Sequence, residues 1–126
     1  MEFVALVTLL LLCQYVVFMG MCGKARAQSG IVAPAVTGDE TFERAYRVQM
    51  NTVEQLVIAL PAMWVSGMYF MPMVAAALGL VFFVGRMMYR VSYMKDPESR
   101  GPGMIIGFLA NIALIATGLW GIISQF

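Results

Sequence analysis

The sequence predicts an all-α integral membrane protein: one domain over residues 1–126, built as a four-helix bundle. Three observations carry this. Apolar residues fill 61% of the chain and charged residues only 12%, against roughly 45–50% and about 25% in soluble domains, so a soluble domain of this length could not hide its apolar surface. Three stretches, residues 3–23, 55–85 and 101–126, carry no charge at all, and about 20 apolar residues suffice to cross the hydrocarbon. The basic residues form two clusters, Lys24, Arg26, Arg44 and Arg47, then Arg86, Arg90, Lys95 and Arg100. A net charge of only +1 leaves no basic surface for nucleic acid.

The first uncharged run predicts a helix near 2–22. Ala25-Arg26-Ala27 resembles a signal-peptidase box, but the segment before it opens with Glu2, lacks a basic residue and is long for a leader, so a resident span is expected. The loop 23–42 holds Gly30, Pro34 and Gly38 and reads as irregular and polar-facing. The middle run is long enough for one tilted helix or for two joined by a tight turn. Gly67 followed by Pro72 favours two, since proline suits the first turn of a new helix. Charge placement agrees: with four spans both basic clusters lie on one side of the membrane, as positive-inside bias requires. Helices are therefore expected near 43–68, 72–94 and 103–125. Loops 23–42 and 95–102 are expected to be cytoplasmic, and both termini to lie opposite.

Loop 95–102, with Asp96, Pro97, Ser99 and Gly101, is turn chemistry. Pro61 should remove one backbone bond and bend its helix. Ala75 and Gly79, and Ala113, Thr117 and Gly121, repeat at four-residue spacing and permit close helix contact. The twelve methionines read as fillers of apolar gaps.

The second helix carries the most informative pattern. Glu43, Arg44, Arg47, Asn51, Glu54 and Gln55 fall within about a 120° arc. On the third helix Arg86, Tyr89, Arg90 and Tyr93 share about a 100° arc. Charge at membrane depth costs about 2.5–3.5 kcal/mol per residue, so such groups face the bundle or a wet cavity. Arg90 and Lys95 read equally as interface anchors; Glu54 does not, because a carboxylate cannot snorkel far. Two facing stripes of this kind describe a pocket for a small anionic or zwitterionic ligand. The absence of histidine removes His-based triads and the usual zinc and haem ligands. Cys13 and Cys22 stand in nearly opposite phase on one helix and suggest packing, not a metal pair; no metal is expected.

The run Phe42-Glu43-Arg44-Ala45-Tyr46-Arg47-Val48-Gln49-Met50-Asn51-Thr52-Val53-Glu54 resembles the signature of the MAPEG family, the membrane-associated proteins of eicosanoid and glutathione metabolism. Ala33-Pro34, Gly38, the Arg86, Tyr89 and Tyr93 segment and Arg100 extend the resemblance over nearly the whole chain. It implies a homotrimer with glutathione as co-substrate, bound between neighbouring subunits near the cytoplasmic face. By position, Arg26, Arg47, Gln49, Asn51, Glu54, Tyr89 and Tyr93 match glutathione-contacting residues, although Gln49 points away from the main stripe. Charge complementarity then implies roles. Arg26 and Arg47 bind glutathione carboxylates, Glu54 helped by Asn51 takes the α-ammonium, and the tyrosines position the peptide. Arg100 resembles the arginine that stabilises the thiolate in glutathione-activating members. Gln55 departs from the tyrosine that leukotriene C synthase carries there. The resemblance implies a glutathione transferase, with peroxidase chemistry open to the same thiolate, acting on hydrophobic electrophiles that arrive through membrane lipid. A non-catalytic lipid-binding or scaffolding member is the alternative, and a small channel a third reading.

Overall fold

A computed structural model describes residues 1–126. Four α-helices follow one another with no strand: α1 (Glu2–Ser29), α2 (Glu40–Tyr69), α3 (Pro72–Lys95) and α4 (Gly101–Ile123), with a short 3-10 helix, η1 (Pro97–Arg100), between α3 and α4. α1, α3 and η1–α4 are each long and apolar enough to cross a membrane. α2 has 30 residues, about 45 Å of helix, but its first half carries the polar stripe. The protein is an integral membrane protein.

The helix ends differ from expectation at both sides of the first loop. α1 continues beyond residue 22 through Lys24 and Arg26, ending where Gly30 takes a left-handed φ of 77° and donates to the Arg26 carbonyl. The segment 23–29, expected as loop, is helical because it holds no proline and its one glycine, Gly23, keeps a negative φ, so the helix runs on to Gly30. α2 starts at Glu40, not 43: the Asp39 carboxylate accepts from the Phe42 N–H at 2.9 Å and Glu43 reaches back to the Gly38 N–H at 3.1 Å. This pair satisfies two otherwise orphaned donors. Between α2 and α3 only Phe70 and Met71 intervene, and Pro72 opens α3 at its first turn. α2 runs unbroken through Pro61, whose ring lies on the exposed side.

α2 and α3 pack on each other and each also packs on α1 and α4, so α1 and α4 flank a central pair. The main core joins Val4, Val7 and Leu11 of α1, Leu56, Ala59 and Met63 of α2, Ala75 and Phe82 of α3, and Ala110 and Leu114 of α4. The α3–α4 seam is a backbone approach. A Cβ on Gly85 would stand 2.8 Å from the Gly107 nitrogen, and one on Gly103 would stand 2.9 Å from both the Gly85 oxygen and the Tyr89 Cα. The four-residue repeats serve contacts within the bundle: Ala75 is fully buried, Gly79 meets Met63 and Val7, and the Thr117 hydroxyl lies 2.7 Å from that of Ser66.

Candidate functional site

The α2 stripe is exposed along its middle and buried along one edge. Phe42, Ala45, Val48, Thr52, Leu56 and Ala59 face the bundle, which turns Arg47 and Glu54 outward. These two pair at 3.5 Å with side chains 52% and 53% exposed, so this part of the stripe keeps accessible charge. Asn51, four residues after Arg47 and three before Glu54, sits between them.

The α3 stripe behaves differently. Arg86 and Tyr89 are 1% and 2% exposed; the stripe coincides with the buried face of α3. The two stripes therefore do not face each other across an open pocket, as the sequence suggested, but touch along one edge. There the Arg86 Nη2 donates to the Asn51 Oδ1 at 2.8 Å and to the Thr52 Oγ1 at 2.9 Å. The Arg86 guanidinium lies 4.2 Å from the centre of the Tyr89 ring, and Tyr89 stacks on Tyr93 with ring centres 5.4 Å apart. Tyr89 also packs against Phe18 of α1 and Val48 of α2.

Above this contact opens a cleft of about 460 Å³, lined by Val36, Glu40, Glu43, Arg44, Tyr46, Arg47, Tyr93 and Pro97. Arg44 holds its wall. It donates to the Met94 and Lys95 carbonyls at 3.0 and 3.1 Å and pairs with Glu40, so this arginine closes the C-terminus of α3 and its donors are spent on structure. A second cleft, about 270 Å³, is lined by Gln55, Arg86, Met104, Ile105 and Phe108. Gln55 accepts from the Asn111 amide at 3.1 Å, and with Arg86 it gives this cleft a polar edge beside three apolar residues.

The remaining candidates lie elsewhere on the chain. The Arg26 guanidinium donates to the Ala35 carbonyl at 2.7 Å and lies 4.5 Å over the Phe42 ring, on the α1 side. Gln49 reaches Tyr15 of α1 at 3.5 Å, which bears out its divergent phase. Arg100 is exposed at the end of η1 and donates to the Pro97 carbonyl at 2.7 Å; Pro97 borders the first cleft. The chain thus gathers Arg47, Asn51, Glu54 and Tyr93, with Tyr89 buried beneath Tyr93, brings η1 to their edge, and leaves Arg26 and Gln49 on a separate side. Sequence reasoning counted Arg86 in the α3 stripe without giving it a place in the site. Its signal was present: it is the first α3 cation after the long uncharged run that ends at residue 85.

A profile of the MAPEG family matches residues 4–120. Microsomal glutathione S-transferase 2 of Homo sapiens is 38% identical over 124 residues, covering 97% of this chain and 83% of its own length. Leukotriene C4 synthase of Cavia porcellus is 32% identical over 103 residues, covering 82% and 69%. An uncharacterized protein of Synechocystis is 41% identical over 121 residues, covering 96% and 88%.

Proposed function

The chain belongs to the MAPEG family, and from that membership and the site geometry we propose that it is a membrane-bound glutathione transferase. The observation that carries this is the α2 face on which Arg47 and Glu54 stand 3.5 Å apart with Asn51 between them and Tyr93 at the rim. Cation, amide and carboxylate in that order complement a peptide that carries both carboxylates and an ammonium. Arg47 binds a glutathione carboxylate and Glu54 the α-ammonium, while Tyr93 holds the peptide at the cleft rim, with Tyr89 buried behind it and stacked on its ring.

Arg26 and Gln49 complete the site from a neighbouring copy. On the isolated subunit the charged α2 face would meet lipid, at a cost of about 2.5–3.5 kcal/mol for a charge at the bilayer centre. A homotrimer, as the family resemblance implies, covers that face and brings the Arg26 side of one subunit to the Arg47 side of the next. The basic loops then lie on the cytoplasmic side and both termini opposite.

Arg100 supplies the chemistry. A free thiol ionises near pH 8.5, so only a few per cent is thiolate at neutral pH. Lowering that value by roughly two units is worth about 2.7 kcal/mol, within reach of one guanidinium in a partly dry cleft. The thiolate sulfur then bonds to an electrophilic carbon as that carbon's bond to its leaving group breaks, the leaving group departing with the electron pair and taking up a proton from solvent; the cleft of Gln55, Met104, Ile105 and Phe108 offers that apolar substrate a way in from the bilayer. A hydroperoxide is a second substrate class for the same thiolate.

The test is to titrate glutathione into detergent-purified protein and follow thiolate absorbance in the ultraviolet. A saturable signal at neutral pH, lost in Arg100→Ala while glutathione still binds, is expected. Binding without thiolate in the wild-type protein would leave the non-catalytic alternative, and absence of binding would remove glutathione from the account.

A further inference from the structure

Arg86 is the one cation that the subunit encloses, 1% exposed, and no carboxylate pairs with it. A buried charge without a counter-ion is costly unless its donors are taken; the Arg86 Nε has no partner, which leaves the Nη2 contacts to hold the group. The Nη2 has two hydrogens, and both are committed: one to the Asn51 Oδ1 at 2.8 Å, one to the Thr52 Oγ1 at 2.9 Å. Thr52 can only accept there, because its own hydroxyl hydrogen goes to the Val48 carbonyl at 2.7 Å. The guanidinium plane is held against the Tyr89 ring at 4.2 Å.

This arrangement settles which way the Asn51 amide faces. A guanidinium has donors and no acceptor, so only the amide oxygen can meet it; the reverse flip would set N–H against N–H. The Asn51 Nδ2 is thereby turned to the other branch, and no group within the subunit accepts from it. Asn51 is half-buried and lies on the face that carries Arg47 and Glu54.

We propose that Arg86 is a positioning residue that locks the Asn51 amide as a hydrogen-bond donor toward the bound peptide. Asn51 then recognises an acceptor, a carbonyl or carboxylate oxygen of the ligand, in place of the ammonium contact expected from the sequence. This assignment rests on the glutathione reading. The ammonium is left to Glu54 alone, and the site discriminates between the two ends of the γ-glutamyl group by fixed polarity. Exchanging Arg86 for a residue without donors frees the amide to rotate and blurs that polarity.

Titration calorimetry with reduced glutathione, and with an analogue lacking the α-ammonium, gives for each variant an affinity and a penalty for losing the ammonium. Asn51→Asp keeps an acceptor for Arg86, so the protein should melt at or above the wild-type temperature, but it has no donor left for ligand. Glutathione affinity should fall about tenfold, with the ammonium penalty unchanged from wild type. Affinity at the wild-type level, or an enlarged ammonium penalty, would overturn the assignment, because Asn51 would then be accepting from the ammonium. Arg86→Met, an apolar replacement of similar reach, should bind glutathione several-fold more weakly, and Arg86→Lys, which restores a donor, should recover most of the loss. Wild-type affinity in folded Arg86→Met would refute the positioning role; if that variant does not fold, the Asn51→Asp measurement decides. Wild-type protein that fails to bind glutathione would sink the functional reading and this assignment together, whereas wild-type binding with unaffected variants would sink this assignment alone.

Discussion

Gly103 and Gly107 sit one turn apart on the same face of α4, and alanine at these two positions should have opposite effects. At Gly103 an added Cβ would press on backbone from three directions: inside contact distance of the Tyr89 nitrogen, and 2.9 Å from both the Tyr89 Cα and the Gly85 oxygen. Backbone cannot rotate aside as a side chain can, so α4 must lift from α3 by about half an ångström or more. Overpacking of this kind costs about 1–3 kcal/mol, and three backbone contacts place it at the upper end. Alanine returns up to about 1 kcal/mol of helix propensity, leaving a net loss near 2 kcal/mol. Unfolding entropy of about 2.1 cal/mol/K per residue over 126 residues is about 0.26 kcal/mol/K, so the melting temperature should fall by about 8 °C. At Gly107 the nearest atoms to a Cβ are Phe82 Cδ2 at 3.7 Å and Arg86 Cδ at 3.8 Å, ordinary contact distances. Gly107→Ala should therefore be neutral or raise the melt by up to about 4 °C. Thermal unfolding of the detergent-solubilised variants, followed by circular dichroism at 222 nm, reads both. Equal melting temperatures for the two variants would refute the close α3–α4 seam.

Three further outcomes are expected. Asp39→Ala removes the acceptor for the Phe42 N–H and should cost about 1 kcal/mol, seen as a drop of about 4 °C in the same melt. Phe82→Ala empties a fully buried core position and should cost about 3–5 kcal/mol; a loss under 1 kcal/mol would mean that the core closes over the space. Glu54→Gln breaks a half-exposed ion pair with Arg47 worth at most about 1 kcal/mol, so the melt should barely move. Its glutathione affinity by calorimetry should nonetheless fall about tenfold, because the α-ammonium loses its counter-charge; unchanged affinity would remove Glu54 from the site.

The number and order of the helices were legible because long uncharged runs and two basic clusters constrain a membrane chain strongly. The helix ends were less so. The Asp39 cap, with Glu43 in the first turn, is a start signal in the sequence, whereas the expected start stood at Glu43, where the polar stripe begins. The extension of α1 to Ser29 carries charges and small residues that hydropathy alone discards. In the candidate site, the shared face of Arg47, Asn51 and Glu54 followed from helical phase. Helical phase also separated Gln49, which turns to Tyr15.

Phase, however, is measured about a helix's own axis and says nothing of which neighbour lies in each direction. Arg44 and Arg47 fall in one arc of α2, yet Arg44 caps α3 while Arg47 makes only a half-exposed pair with Glu54. Arg86 and Arg90 share an arc of α3, yet only Arg86 is enclosed, against Asn51 and Thr52; Arg90 lies beside Phe18. Those fates depend on how α2, α3 and α4 approach, and the approach depends on the backbone contact among Gly85, Gly103 and Gly107; the four-residue spacing of Gly103 and Gly107 permits a close approach but does not say that Gly85 is what meets it. The sequence by itself determined a four-helix membrane chain with a charged face on its second helix, because burial in lipid penalises every unpaired polar group. Only the tertiary structure decided which of those charges serve the fold and which are left for a ligand, because side-chain hydrogen bonds form between helices whose spacing local sequence does not encode.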